Sequence, residues 1–362
     1  MYDIKINSKL IIAVLIFISL LYGSQLFILW THQCIYDEKL TTFLYLLPLF
    51  LLIGFGSLIF LTVKTSETLY SYIYIIFGLY LGYIFYLFQI SVILRLLIIF
   101  IPLPKSLSVF LLYFTPLIIC IYGIINALKT KIDRITLKYP GYNNSIKILH
   151  LSDIHLGAIH QKGSVMKIVQ EIQELEPDIV VITGDMADGS LKVKPSWLAP
   201  FNNLVMPILY VTGNHEEMNP KEDMLKIINE SNIKYIGEHQ TYQCKGVNFI
   251  GEDFGNDLRQ CLLNVEQKRG EPNVLIYHVP TLVPDELMKY NIFLMLAGHT
   301  HGGQIFPLGI IVYLTNACFA GLYPDKTNSH YIYVSEGVNN AVTPMRVGSS
   351  RIFALITIEG YN

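Results

Sequence analysis

Two aspartates, one asparagine and five histidines stand in a fixed order along this chain: Asp153-Ile154-His155, Gly184-Asp185, Gly213-Asn214-His215-Glu216, a lone His278, and Gly298-His299-Thr300-His301. Each piece follows an apolar run that reads as a β-strand, so the set gathers at one end of one sheet. Carboxylate and imidazole donors suit Mn, Fe or Zn ions. The set is large enough for two divalent cations, with one imidazole left over for proton transfer. That combination points to hydrolysis of phosphate esters.

The spacing within each piece has a physical reading. Asp153 and His155 are two residues apart, so an extended chain would turn both to one face, and the same holds for His299 and His301. Gly184 lets the backbone turn beside the site, leaving Asp185 at the strand end, where one carboxylate can bridge two cations. Asn214 offers a neutral carbonyl oxygen, and His215 stays close without having to bind. Asp188, Glu216 and Glu217 read as turn acids or acids that support the ligands. His150 and His160 fall out of phase with the first motif and read as structural. Asp253 reads as a solvated loop acid. Each piece alone has an ordinary explanation; five pieces in order at five strand ends do not.

The elements that must position these residues alternate. Ile146–Leu151 reads as a strand, and Ser164–Glu176 as a helix with Val165, Ile168, Val169 and Ile172 on one face and Pro177 ending it. Strands follow at Ile179–Thr183 and Ile208–Thr212, then a short helix with Met224, Ile227 and Ile228 inward. Further strands read at Val247–Gly251, Val274–Tyr277, Ile292–Leu296, Tyr331–Val334 and Ile352–Ile358. Alternation first and mostly strands later predicts a layered α/β sandwich, with ligands beyond the carboxyl ends of the strands.

The chain's first third has a different character. Of its 54 charged residues, only 10 fall in the first 128 positions, while the whole chain is 52% hydrophobic with a mean hydropathy of +0.44. Residues 1–128 predict an all-α transmembrane anchor of about four helices, near 10–30, 43–63, 70–90 and 107–128, each near the ~20 residues a bilayer requires. The apolar run Ser91–Pro104, broken by Arg95, either extends the third span or lies along the interface. No Asp or Glu falls inside the spans, so a transport path is disfavoured. Gln25 and Gln89 read as contacts between helices, and the tyrosines between Tyr70 and Tyr86 as packing or interfacial groups. Residues 129–145, charged and then turn-rich through Tyr139-Pro140-Gly141, read as a linker, with the catalytic domain at 146–362. Lys5, Lys9, Lys64, Lys129, Lys131, Arg134 and Lys138 fall on one side of a four-span topology, which predicts a multi-pass cell-membrane protein with a cytoplasmic catalytic domain.

A net charge of −2 provides no basic footprint, so no nucleic-acid partner is expected. The five cysteines are scattered without a CxxC or a disulfide framework.

The segments Leu151-Ser152-Asp153-Ile154-His155-Leu156-Gly157, Gly184-Asp185, Gly213-Asn214-His215-Glu216, His278 and Gly298-His299-Thr300-His301-Gly302-Gly303-Gln304 together resemble the calcineurin-like metallophosphoesterase superfamily. The extended last motif is similar to that of its bacterial membrane-associated branch. The resemblance covers roughly Lys147 to Ile358. It implies an α/β sandwich of two mixed β-sheets flanked by helices, and two divalent metal ions (Mn, Fe or Zn). One would be held by Asp153, His155, Asp185 and His301, the second by Asp185, Asn214, His278 and His299. His215 would be catalytic, protonating the leaving oxygen or stabilising phosphate charge. Arg346 is a further candidate for contact with phosphate, set against a solvated or ion-paired arginine. The implied activity is hydrolysis of a phosphate ester, phosphodiester or pyrophosphate bond by metal-bound hydroxide. The substrate would be a phosphorylated small molecule or a lipid-linked one at the bilayer. The rival readings are a tethered phosphodiesterase of soluble nucleotides and a non-catalytic metal-containing receptor or scaffold. The Gly302-Gly303-Gln304 extension and the stretch Phe306–Asp325 are expected to line part of the cleft.

Overall fold

The computed structural model describes residues 8–37, 39–218, 221–265 and 268–361, so Lys5 lies outside the described residues. The chain divides into two compact units, Met1–Gly123 and Ile124–Asn362.

The first unit holds α1 (Ser8–Tyr36), α2 (Thr42–Thr65), α3 (Glu67–Phe100) and most of α4 (Lys105–Ala127). Among the described residues these are four helices long and apolar enough to cross a bilayer. The run from Ser91 to Phe100 continues α3, which is 34 residues long. Arg95 lies within that helix, as a good helix former can, and its guanidinium stacks over the Trp30 ring, 4.0 Å from the centroid. Gln25 does join helices, accepting from the Tyr80 hydroxyl at 2.7 Å, and the Tyr83 hydroxyl donates to the Tyr113 carbonyl at 3.2 Å. Gln89 instead donates within α3, to the Phe85 carbonyl at 3.3 Å.

The second unit contains β1 (Thr130–Pro140), β2 (Ser145–Leu151), α5 (Lys162–Leu175), β3 (Ile179–Thr183), α6 (Pro195–Leu198), β4 (Ile208–Val211), α7 (Asn214–Met218), α8 (Lys221–Asn229), β5 (Ile233–Tyr235), β6 (Thr241–Cys244), β7 (Val247–Gly251) and α9 (Leu258–Asn264). It continues with β8 (Asn273–Ile276), α10 (Pro284–Leu287), β9 (Leu294–Ala297), α11 (Leu308–Thr315), β10 (Gly321–Pro324), β11 (Tyr331–Val334) and β12 (Arg351–Tyr361). Residues 130–140 are thus an edge strand rather than a linker. β1 pairs in parallel with β12 from Thr130↔Arg351 to Pro140↔Tyr361.

The strands form two six-stranded mixed sheets, in the orders β1-β12-β2-β3-β4-β5 and β10-β11-β9-β8-β7-β6. The reading of a single sheet is corrected here, while the two-sheet sandwich holds. Strict alternation explains why. Ile146, Ile148, Ile179 and Val181 pack with Val274, Ile276, Leu294 and Leu296 in the core between the sheets. Leu149, Leu151, Val180 and Ile182 face the other way, onto Val165, Ile168 and Ile172 of α5. A strand buried on both faces reads as a continuous apolar run, and Ile179–Thr183 is one. Burying each such side chain fully contributes roughly 1.5–3 kcal/mol. Their ordered packing leaves the loops beyond β2, β3, β4, β8 and β9 to carry polar groups.

Candidate metal centre

The seven expected metal ligands come from both sheets. Asp153 and His155 follow β2, Asp185 follows β3 and Asn214 follows β4, all in the first sheet; His278 follows β8, and His299 and His301 follow β9, in the second. The paired residues do not share a face by strand alternation. Asp153 (φ 57°), His155 (φ 48°), Asp185 (φ 52°), His299 (φ 71°) and His301 (φ 52°) all have left-handed backbones. That conformation costs non-glycine residues about 1–3 kcal/mol each and persists only where surroundings enforce it. Here the loops are tied to one another. Asp153 N–H donates to the Gly184 carbonyl (3.2 Å), His155 N–H to Asp185 (3.0 Å), Gly298 N–H to His278 (2.8 Å) and Asn339 N–H to Asp153 (3.1 Å). At Gly184 (φ +85°) a Cβ would lie 2.7 Å from the Gly213 nitrogen and 2.8 Å from His278 Nδ1. Only glycine lets these three loops close together.

The donors converge on two points. In the first, His155 Nε2 lies 3.0 Å from His301 Nε2, and His301 Nε2 lies 3.3 Å from Asp153 Oδ1. In the second, Asn214 Oδ1 lies 3.0 Å from His278 Nε2 and 2.8 Å from His299 Nδ1. Asp185 Oδ2 serves both, 3.2 Å from His278 Nε2 and 3.9 Å from His155 Nε2. The two carboxylates are held alike. Asp153 Oδ2 accepts the His299 N–H at 3.2 Å and Asp185 Oδ1 accepts the His215 N–H at 2.9 Å, so each turns its other oxygen inward.

This donor set fits divalent cations. Asp153 Oδ1 is buried and has no hydrogen-bond partner, which is costly for a carboxylate unless a positive charge meets it. Burial, with the facing imidazole of His301, holds His155 well below the usual imidazole range. Burial and the Arg346 charge do the same to His301. Both rings therefore stay neutral and keep the lone pair a metal requires. His278 is the exception. Burial pulls it down, but Asp185 outweighs burial and pushes it up to about 9. Burial likewise opposes ionising Asp185, yet His278 and its neighbours hold that carboxyl far below the usual range. A positive charge is stabilised at this spot. The His278 Nδ1–H donates to the Thr183 carbonyl at 2.7 Å, which aims Nε2 at the site.

His215 sits at the rim. Its Nδ1 donates to the Asp188 carbonyl at 3.1 Å, and its Nε2 lies 4.0 Å from Asp185 Oδ2. Glu216 is a clamp rather than a ligand: its carboxylate accepts the N–H groups of Asp185 (3.0 Å), Ala187 (2.9 Å) and Gly213 (2.8 Å). Burial, with Asp185 nearby, pushes it up to about 7. Asp188 bonds the Ser190 backbone and hydroxyl in a turn, and burial raises it to about 6.

Two readings change. Asp253 is buried, accepting from Thr212 N (2.9 Å) and Lys221 Nζ (2.9 Å), so it is not a solvated acid. Arg346 is neither solvated nor presented to a phosphate. It is fully buried and donates to the carbonyls of Glu336 (2.8 Å), Asn339 (2.7 Å) and His301 (3.3 Å). It thereby seats the His301 loop. Asn339, whose side chain donates to the Ile154 carbonyl at 2.6 Å, does the same for the first motif. Sequence reasoning passed over Asn339; the available signal was a polar, glycine-containing stretch between two strands.

Residues 146–303 match the family model described as calcineurin-like phosphoesterase. The chain is 32% identical over 231 residues to an uncharacterized metallophosphoesterase of Helicobacter pylori, covering 60% of this chain and 61% of that protein. It is 31% identical over 232 residues to one of Aquifex aeolicus, covering 59% of this chain and 85% of that one. A third relative, from Bos taurus, is named a transmembrane protein with metallophosphoesterase domain, 30% identical over 260 residues, with 64% of this chain and 58% of that protein covered. The chain belongs to the calcineurin-like metallophosphoesterase family. Its match spans about three fifths of the Helicobacter and Bos relatives. With its four long apolar helices, it is a membrane protein of that family.

Proposed function

We propose that this protein is a multi-pass, membrane-anchored phosphoesterase that uses two divalent cations to cleave a phosphate ester, phosphodiester or pyrophosphate bond, with its catalytic unit on the cytoplasmic side. The observation that carries the reading is the convergence of seven donors from two sheets, including a buried Asp153 oxygen with no hydrogen-bond partner among the described residues. Asp153, His155, Asp185 and His301 would hold one cation; Asp185, Asn214, His278 and His299 would hold the other. When bound, the cations supply Lewis acidity toward phosphoryl oxygens and bring the pKa of water toward neutrality. The His215 N–H pins Asp185 Oδ1, which leaves Oδ2 as the oxygen that would serve both cations. His215, fixed through Nδ1 by the Asp188 carbonyl, presents Nε2 to protonate the leaving oxygen or offset phosphate charge. The basic residues beside the helices support the cytoplasmic side, and the anchor supports a substrate at the bilayer, including a lipid-linked one.

The test is Mn²⁺-dependent hydrolysis of bis(p-nitrophenyl) phosphate and p-nitrophenyl phosphate by the full chain in detergent, beside Asp185→Asn. Activity that disappears in the variant supports the enzyme and ranks diester against monoester. Two bound cations with no turnover on either substrate would favour the receptor reading.

A further inference from the structure

The stretch from Ile305 to Pro324 contains no Asp, Glu, Lys or Arg. At its centre lies α11, Leu308–Thr315, a helix in which no residue is buried. Phe306, Leu308, Ile310, Ile311, Tyr313 and Leu314 are all exposed, Leu314 by 75%. Singly exposed apolar side chains are ordinary, but a contiguous run of this size marks a surface made for contact. An amphipathic helix such as α5 buries one face; α11 offers apolar groups without burying any.

The helix is fixed beside the metal centre. A Cβ on Gly303 would lie 2.1 Å from the Gly309 Cα, so two glycines let the backbone of α11 rest on the loop that carries His301. A cavity of about 260 Å³ opens there, walled by Gly302, Gly303, Phe306, Ile310, Phe319 and Val347 among others. Its lining side chains are apolar except for the hydroxyl of Tyr313. It begins one residue from a metal ligand.

The occupant is indicated by where the chain leaves its apolar helix. Residues 124–127, the last turn of α4, belong to the same compact unit as the metal centre. There Asn126 Nδ2 donates to the carbonyls of Arg346 (3.1 Å) and Ser349 (2.8 Å). Between those two residues lie Val347 and Gly348, which line the cavity. The end of a helix long enough to cross a bilayer is therefore hydrogen-bonded to the two residues that flank Val347 and Gly348 of the cavity wall. Hydrocarbon is the medium that such a helix end brings within reach.

We propose that α11 and the cavity beside it form an acyl-chain site: the helix lies in the bilayer interface, and the cavity takes one chain of a phospholipid whose phosphate reaches the metal centre. This deepens the phosphoesterase reading and rests on it. The apolar wall binds the chain by burying hydrocarbon, while His215 and the ligand loops receive the headgroup phosphate.

The test uses the full protein in nanodiscs of phosphatidylcholine and phosphatidylglycerol, doped with phosphatidylcholine that bears a diazirine on its acyl chain. After illumination, peptides are mapped by mass spectrometry. Adducts within residues 306–315, as well as in the apolar helices, are expected. Adducts in the apolar helices alone would overturn the proposal, as would protection of α11 by a second copy of the chain. The double variant Ile311→Ser/Leu314→Ser changes exposed positions only. It is expected to lower the ratio of phosphatidylglycerol to bis(p-nitrophenyl) phosphate hydrolysis by about tenfold or more, since two side chains of this size contribute more than that when fully buried. An unchanged ratio would also overturn the proposal. If the parent chain takes up adducts at 306–315 but hydrolyses neither substrate with Mn²⁺, the lipid contact stands and the phosphoesterase reading fails.

Discussion

The two halves of the metal centre share Asp185 but differ in charge and access. One half adds a second carboxylate, Asp153, and two imidazoles, His155 and His301; Asp153 and His155 are fully buried and His301 is 12% exposed. The other adds a neutral amide, Asn214, with His278 and His299, and of these Asn214 and His299 are partly exposed. Ligand charge count tunes cation affinity, so the carboxylate-rich half should hold its ion harder. The amide half opens toward solvent, next to His215, whose side chain is 23% exposed. On the proposed function, the first half would anchor its cation and the second would receive substrate.

The largest effect is expected where the halves meet. Asp185→Asn should empty both positions together and lower kcat/KM by about a thousandfold, the scale of electrostatic stabilisation in such sites. Metal analysis checks it: two cations at full occupancy would mean that Asp185 is not shared. His215→Ala should keep both cations and slow turnover by about a hundredfold or more; normal turnover with intact metal would remove His215 from the reaction. A finer contrast comes from Asp153→Ala and Asn214→Ala. Each should weaken one cation, Asp153→Ala by the larger factor, as read by chelator competition; a reversed order would invert the anchoring and receiving roles. The smallest effect is assigned to Glu216→Gln. It retains the shape of a side chain that bonds three backbone N–H groups and should cost about tenfold in metal affinity.

How much of this was legible in the sequence varies with the physics of each part. The ligand residues were legible because their types announce coordination chemistry wherever they lie. Their left-handed backbones were not, since φ at Asp153 or His301 is imposed by loops distant in sequence. Ile179–Thr183 was legible to the residue because both its faces are buried. β1 was hidden, although Ile135, Leu137 and Tyr139 alternate with Thr136 and Lys138. Its outward charges resemble a linker, and its partner, β12, lies more than two hundred residues away. The run Ser91–Pro104 was left open between span and interface, and the partner that Arg95 stacks on, Trp30, belongs to another helix. The place of Arg346 was hidden for a like reason: the carbonyls it meets are brought to it by folding, and none is written beside it. The stretch after Gln304 was expected to line a cleft, and Phe306 and Phe319 do line a cavity, but nothing local foretold that α11 would bury no residue.

The pairing of β1 with β12 decides where the polypeptide can be cut. A fragment starting at Ser145 would strip an 11-residue strand from β12 and leave a long open edge, an invitation to aggregate. Starting at Lys129 would spare the sheet but discard Asn126, whose amide braces the loop that carries Arg346. Anyone seeking a water-soluble version must therefore retain a stub of greasy helix and mask it, because the foundation of the second unit begins before the last apolar helix ends.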